Sequence, residues 1–243
     1  EHEREVLEDL ADAVVTGLSD YCRKSGITSI VLGLSGGIDS AAAACVAAAA
    51  VGPEHVTGLA MPSRHSSQHS IDDAAHTANA LGLVFETIAI DSMHRSVESS
   101  IGEMLQDGAP VAGENLQARL RGLIVMAHAN AQGSMAIATG NKSELAQGYC
   151  TLYGDMAGGY TPLGDLYKMQ VYGLAEVFNR RAVAAGSPAP VNESTMTKPP
   201  SAELAPDQID EDSLPPYPEL DAILHAHIEQ GLDGTSIAKL GHD

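Results

Sequence analysis

Apolar residues at Val6, Leu7, Leu10, Ala11, Val14, Val15 and Leu18 fall on one face of a helix, which predicts a helix over Glu3 to Arg23. The period then changes. Ile27 to Leu34 (ITSIVLGL) is a β-rich run closed by Ser35-Gly36-Gly37, and Asp39 to Ala50 reads as an alanine-rich buried helix. The alternation continues with a strand over His55 to Met61, a helix over Ile71 to Leu81 and a strand over Val84 to Ile90. A long helix over Asn115 to Gln132 and a strand over Ser134 to Ala138 follow. Strands that alternate with helices predict an α/β fold, a parallel sheet sandwiched by helices. Ligands of such sheets lie beyond the carboxyl ends of the strands. The three sharpest motifs, after Leu34, after Ala60 and after Ala138, all fall there and point to one site.

Beyond Gly140 the periodicity weakens. Gly140 to Pro162 is rich in Gly, Tyr and polar residues and reads as an extended binding loop, and Leu163 to Ala185 returns to helix. The proline-rich stretch 187–218 is expected to be an irregular arm rather than a domain, with a terminal helix over Glu219 to Gln230. Gln106 to Gly113, with its Gly and Pro, is expected to be a mobile loop. Residues 1–243 therefore read as one domain.

Composition narrows the class. The chain has 243 residues and 44% hydrophobic content, enough for one sizeable core without metal or disulfide staples. Thirty-two acidic against thirteen basic residues give a formal charge of −19, which disfavours a nucleic-acid surface. The few basic residues inside motifs gain weight for the same reason. Cys22, Cys45 and Cys150 are odd in number and far apart, which favours a reduced, cytoplasmic setting. Ala41 to Val51 is too short to span a membrane, and the charged Glu1 to Glu8 does not read as a signal peptide. A first residue of Glu and an abrupt end at Gly241-His242-Asp243 suggest a piece of something longer.

Ser35-Gly36-Gly37-Ile38-Asp39-Ser40 leaves a strand and opens a helix. Its glycines permit a tight turn, and free N–H groups at the helix start favour an anion. Asp39 would repel phosphate unless a cation intervened, so the economical reading gives it Mg²⁺. Turn and helix-cap roles are the plainer alternative. No Walker-type Lys is present, which disfavours γ-phosphoryl transfer. The string resembles the signature of the ATP pyrophosphatase superfamily. That resemblance implies cleavage between the α and β phosphates and adenylation of an oxyanion.

Thr139-Gly140-Asn141-Lys142-Ser143-Glu144 admits two readings, a second carboxylate for the same Mg²⁺ or a helix start with Glu144 near the dipole. Arg119 and Arg121 point about 200° apart on a helix, so one could meet substrate while the other pairs with an acid or water. His65, His69 and His76 read as polar surface rather than a metal site, and His225 and His227 are too close on a helix to share an ion.

Asn115 to Arg121, Thr139 to Asp155 and Lys198 to Leu204 (within ENLQARLRG, TGNKSELAQGYCTLYGDMAGGY and KPPSAELAPDQ) together resemble the synthetase domain of NAD synthetases, in the glutamine-dependent branch. The resemblance implies an adenine nucleotide alpha hydrolase-like, Rossmann-like fold. It also implies a ligase that adenylates the nicotinate carboxylate of deamido-NAD with ATP and lets ammonia displace AMP. ATP would be held by Gly33, Leu34, Ser35, Gly36, Gly37, Ile38, Asp39, Ser40, Thr139, Lys168 and Ser201. Deamido-NAD would be met by Asn115, Arg119, Glu144, Tyr149, Cys150, Thr151 and Leu152, and Mg²⁺ by Asp39 and Glu144. Asp39, Glu144 and Lys168 would carry the catalysis, and Arg64 would line the ATP pocket. A homodimer or higher homo-oligomer is implied as well.

Two departures matter. The amidohydrolase domain of the glutamine-dependent branch is absent from this chain, so ammonia would come free or from a partner. The basic segment that usually ends the family is also missing before Asp243. Ammonia-dependent relatives have Lys where this chain has Leu152. An XMP or aspartate acceptor is opposed by the Asn115 to Arg119 and Lys198 to Leu204 strings. A binding module without turnover is opposed by the Asp39, Glu144 and Lys168 set.

Overall fold

The computed structural model describes residues 2–106, 111–205 and 208–242. Four parallel strands, β1 (Ile30–Gly33), β2 (Val56–Ala60), β3 (Val84–Thr87) and β4 (Met135–Ala136), form a sheet in the order β3-β2-β1-β4. The central strand β1 shows the period-2 rule. Ile30 and Leu32 pack into one core with α1 (His2–Ser25), α2 (Ile38–Val51), α3 (Gln68–Leu81) and α7 (Lys168–Ala184). Val31 points the other way, into a second core with Leu59, Ile90, Ile124, Val125 and Ala129, beneath α5 (Val111–Gln132). Helices therefore cover both faces.

The alanines of α2 explain its place. Ala41, Ala42, Ala43, Ala44 and Ala47 are all fully buried, so the helix packs on the sheet and against α1 and α7 at once. A helix apolar all round belongs inside. Larger residues beside it supply most of the burial. Leu18, Leu32, Leu163 and Leu174 are fully enclosed, each worth about 1.5–3 kcal/mol of transfer free energy.

Several boundaries differ from the sequence reading. The expected strand over Val84 to Ile90 stops at Thr87, and the one over Ser134 to Ala138 shrinks to two residues, with Ile137 bridging Tyr160 instead. Single backbone bonds still run past both ends, from Ile88 N–H to Ala60 O at 2.8 Å and from Ile137 N–H to Val31 O at 3.0 Å. The helix expected from Leu163 starts at Lys168, because Thr161 to Leu166 form hydrogen-bonded turns. α4 (Asp91–Gln106) was not foreseen; its polar composition hides the Met93, Val97, Ile101 and Met104 stripe. The long helix starts at Val111 rather than Asn115, so Val111 to Gly113 are helical and not loop, while 107–110 lie outside the described residues. The extended loop after Gly140 contains α6 (Lys142–Gln147). The arm over 187–218 contains α8 (Glu193–Thr197), a 3₁₀ turn at Asp210–Asp212 and the start of α9 (Tyr217–Ile228), and α10 (Gly234–Ala238) follows.

Candidate active site

The loop after β1 can be built only with glycine at position 36. Gly36 has φ +84°, and a Cβ there would lie 2.1 Å from the Ser70 carbonyl oxygen. Ser35 Oγ accepts from Gly37 N–H at 3.2 Å, and Ser40 Oγ donates to Gly37 O at 3.0 Å, which ties the loop to itself. Gly37 caps α2 without a side-chain bond, so the first N–H groups of that helix are left for an anion.

Behind the loop sits one lysine between acids. Lys168, 1% exposed, donates to Asp39 Oδ2 at 2.6 Å and to Glu144 Oε1 at 3.2 Å. Burial works against its charge, but Asp39 and Glu144 outweigh burial and keep it protonated. Burial pushes the Glu144 carboxyl up, Asp39 adds to this, and Lys168 opposes both. The local folding is specific. Asn141 Oδ1 accepts the Glu144 N–H at 3.0 Å, and Glu144 Oε2 accepts the Asn141 N–H at 3.3 Å, a reciprocal cap at the start of α6. The Asn141 amide also donates to Asp39 Oδ1 at 2.8 Å. The helix-start reading of Glu144 holds, since Oε2 caps α6, while Oε1 meets Lys168. The first turn of α7 is anchored by Asp221 of α9, which accepts Met169 N–H at 2.8 Å.

Asp39 and Glu144 both meet the Lys168 ammonium, and they are the carboxylates that could hold Mg²⁺ together with phosphate oxygens. Among the described residues no cluster of three or more His, Cys, Asp or Glu forms a metal cage. A metal there would need oxygen ligands from its substrate.

A cavity of about 330 Å³ opens over this group. Of the residues predicted for ATP, Gly33, Leu34, Ser35, Gly37, Ile38, Asp39, Ser40, Thr139, Lys168 and Ser201 line it. Gly36 does not, since it faces Ser70. The Ser201 hydroxyl is taken up by Gln208 O and shapes its own turn. Of those predicted for deamido-NAD, Glu144, Tyr149 and Cys150 line the cavity. Asn115, Arg119, Thr151 and Leu152 stand beside it as a ledge, where Thr151 Oγ1 donates to Asn115 Oδ1 at 2.7 Å and Arg119 Nε to Leu152 O at 3.2 Å. The ledge depends on close packing: a Cβ on Gly122 would meet Gly154 O at 2.7 Å. Arg64 is not in the cavity wall; it reaches α4 and pairs with Glu98 at 3.1 Å.

Arg121, Glu203, Lys198 and Asp210 are among the further residues that line the cavity. Arg121, not Arg119, faces inward, donates to Met61 O at 3.0 Å, and has its proton affinity lowered by burial, with Glu203 opposing. Glu203, at φ +47°, accepts from Ser70 Oγ at 2.7 Å and Ser67 Oγ at 3.1 Å, which pins the arm at the start of α3. Lys198 pairs with Asp73 at 2.8 Å and fixes the same arm. Asp210 accepts from the Tyr217 hydroxyl at 2.8 Å. Asn141, whose amide reaches Asp39, was legible as the cap residue of an Asn-x-x-Glu pattern. Asp210 carried no signal among the acids of the arm.

The family model described as NAD synthase matches residues 10–242. The chain belongs to the NAD synthase family. It is 49% identical over 237 residues to a glutamine-dependent NAD(+) synthetase of Rhodobacter capsulatus, covering 95% of this chain and 43% of that one. The chain thus spans about two fifths of the length of the curated relatives it matches. A glutamine-dependent NAD+ synthetase of Acinetobacter baumannii, solved with ADP, superposes with TM-score 0.75 at 38% identity, covering 98% of this chain and 42% of that one. An NMN synthetase of Francisella tularensis superposes with TM-score 0.79 at 32% identity, covering 90% and 86% of the two chains.

Proposed function

We propose that this chain is an NAD synthetase unit that amidates the nicotinate carboxylate of deamido-NAD with ATP and ammonia, releasing AMP and pyrophosphate. The observation that carries it is Lys168 held between Asp39 and Glu144 beneath the phosphate loop. The nicotinate carboxylate attacks the α-phosphorus of ATP, the bond to the β-phosphate breaks, and pyrophosphate remains with Ser35 to Ser40. Lys168 and the N–H groups of α2 neutralise the charge that develops on the departing group. Bound by Asp39 and Glu144, Mg²⁺ would shield the pyrophosphate oxygens. Ammonia then displaces AMP. No covalent protein nucleophile is required, and burial raises the thiol of Cys150, which suits a bystander.

A second reading, a mononucleotide acceptor, comes from the likeness to an NMN synthetase. The ledge of Asn115, Arg119 and Leu152 beside the cavity favours the dinucleotide, because it offers surface beyond what the nicotinate half needs. The reading includes a homodimer, supported by exposed Ile101, Met104, Leu123 and Met126 on α4 and α5. It also includes a glutaminase domain as ammonia source in a longer parent, and a cytoplasmic setting. No helix among the described residues is long and apolar enough to cross a membrane.

The test follows pyrophosphate and the amidated nucleotide product from ATP, Mg²⁺ and ammonium with deamido-NAD or nicotinate mononucleotide, beside Asp39→Ala. Product from deamido-NAD, lost in the variant, is expected. Product from the mononucleotide alone would replace the acceptor, and no pyrophosphate from either would sink the reading.

A further inference from the structure

Asp221 of α9 is a buried carboxylate, 7% exposed, whose partners are polar groups rather than basic ones. Its Oδ1 accepts from the Ser143 hydroxyl, and its Oδ2 accepts the Met169 N–H at 2.8 Å. Ser143 is fully buried, and the same oxygen that donates to Asp221 accepts the Lys168 N–H at 2.9 Å. One carboxylate thus gathers the starts of two helices, α6 through its second residue and α7 through its first two. The N–H groups of a first helical turn have no partner within their own helix, and a carboxylate there also meets the favourable end of the helix dipole.

Those two starts carry the charged cluster. Glu144 follows Ser143 directly, and Lys168 is the residue whose backbone Ser143 holds. Asp221 and Ser143 are both outside the cavity wall, so neither touches a substrate placed there. Beyond the wall, the Lys168 ammonium lies 2.6 Å from Asp39 and 3.2 Å from Glu144. At such a site a displacement of about 1 Å is enough to cost on the order of a hundredfold in rate. The backbone bond from Lys142 N–H to Leu166 O at 2.8 Å keeps the helix starts adjacent without the carboxylate, so variants of Asp221 are expected to fold.

We propose, on the adenylate reading above, that Asp221 is a positioning residue for the step that releases pyrophosphate. It holds the starts of α6 and α7 at a fixed offset, so that Lys168 stays between Asp39 and Glu144 beneath the phosphate loop. Lys168 acts on charge that grows as the bond to the β-phosphate breaks, so its misplacement is read in kcat. The phosphate loop and the ledge, which Asp221 does not touch, bind the two substrates, so KM is spared.

Asp221→Asn keeps the shape but leaves one acceptor oxygen. Its amide nitrogen must face either the Met169 N–H, itself a donor, or the Ser143 hydroxyl, whose proton then loses its acceptor. Pyrophosphate release from ATP, Mg²⁺, deamido-NAD and ammonium is expected to fall on the order of thirtyfold in kcat, with both KM values within about threefold. Ser143→Ala, which removes the link to Lys168 and leaves the Met169 bond, is expected to lower kcat on the order of tenfold. The double variant is expected within about threefold of Asp221→Asn, because the two act along one path. Ile237→Ala, which opens a void where α10 packs on α9, is the control for stability alone: it is expected to melt lower yet keep kcat within about twofold.

Unchanged kcat in Asp221→Asn, losses that multiply in the double variant, a loss confined to KM, or an equal fall of kcat in Ile237→Ala would each overturn the proposal. If Asp221→Asn does not fold, Ser143→Ala decides: a lowered kcat at constant KM sustains the proposal, and a parental kcat overturns it. No pyrophosphate from the parent would instead overturn the adenylate reading, and this proposal with it.

Discussion

Lys168 is charged because its neighbours are, and the reverse holds for Glu144. Burial alone would strip a proton from the lysine and add one to the glutamate. Instead the ammonium lies within 3.2 Å of two carboxylates, and the balance leaves Glu144 raised toward about 7. Burial also raises Asp155 and Asp210. These carboxyls bind protons more tightly folded than unfolded, so they stabilise the fold at low pH and lose that contribution as pH rises through their folded values. His94, lowered by burial, works the other way, losing stability as pH falls below the ordinary histidine range. Glu144, raised toward about 7, titrates within the neutral range, so the ligand-free protein is expected to melt lower at pH 7.5 than at pH 5.5, with a ΔΔG of about 1 kcal/mol moving a midpoint by about 2–4 °C at this size. A melting temperature that climbs over that interval in scanning calorimetry would show these groups to be less perturbed than their burial implies.

At the scale of elements, the site is an agreement between strand ends and helix starts. α2, α6 and α7 all begin at the cavity, and each brings one member of the charged cluster within its first three residues: Asp39, Glu144 and Lys168. α5 brings the opposite wall, and there a single absent side chain sets the spacing. Gly122→Ala would place a methyl group 2.9 Å from Tyr153 O and closer still to Gly154 O, forcing the 149–156 loop off the helix. The expected outcome is a KM for the nicotinate substrate raised on the order of tenfold with ATP binding little changed. Steady-state kinetics with each substrate varied in turn checks it, and an equal rise in both KM values would mean that the loop does not act locally. The phosphate loop was legible because glycine pairs after a β-rich run have few other uses, and α2 because a run of alanines has only the interior to occupy. α4 was not legible, since its apolar stripe is diluted by Ser, Glu and His. The inward turn of Arg121 rather than Arg119 was half legible: helical geometry separates the two, but only the packed sheet says which face is inside.

For the whole molecule, two helical layers close a four-stranded sheet, and the arm over 187–218 returns across its carboxyl edge to roof the site. That arm was expected to be irregular, and its order comes from long-range polar ties that no local pattern displays. Glu203 reaches α3, Lys198 reaches Asp73, and Thr195 Oγ1 donates to Gly36 O at 3.3 Å in the phosphate loop itself. The roofed site makes one central claim, that a carboxylate and the α-phosphorus of ATP are joined here before nitrogen arrives. The direct measurement supplies deamido-NAD whose nicotinate carboxylate carries heavy oxygen, with ATP and ammonium, and weighs the products by mass spectrometry. One labelled oxygen is expected in AMP and none in pyrophosphate. Unlabelled AMP, or label in an inorganic phosphate beside ADP, would contradict it.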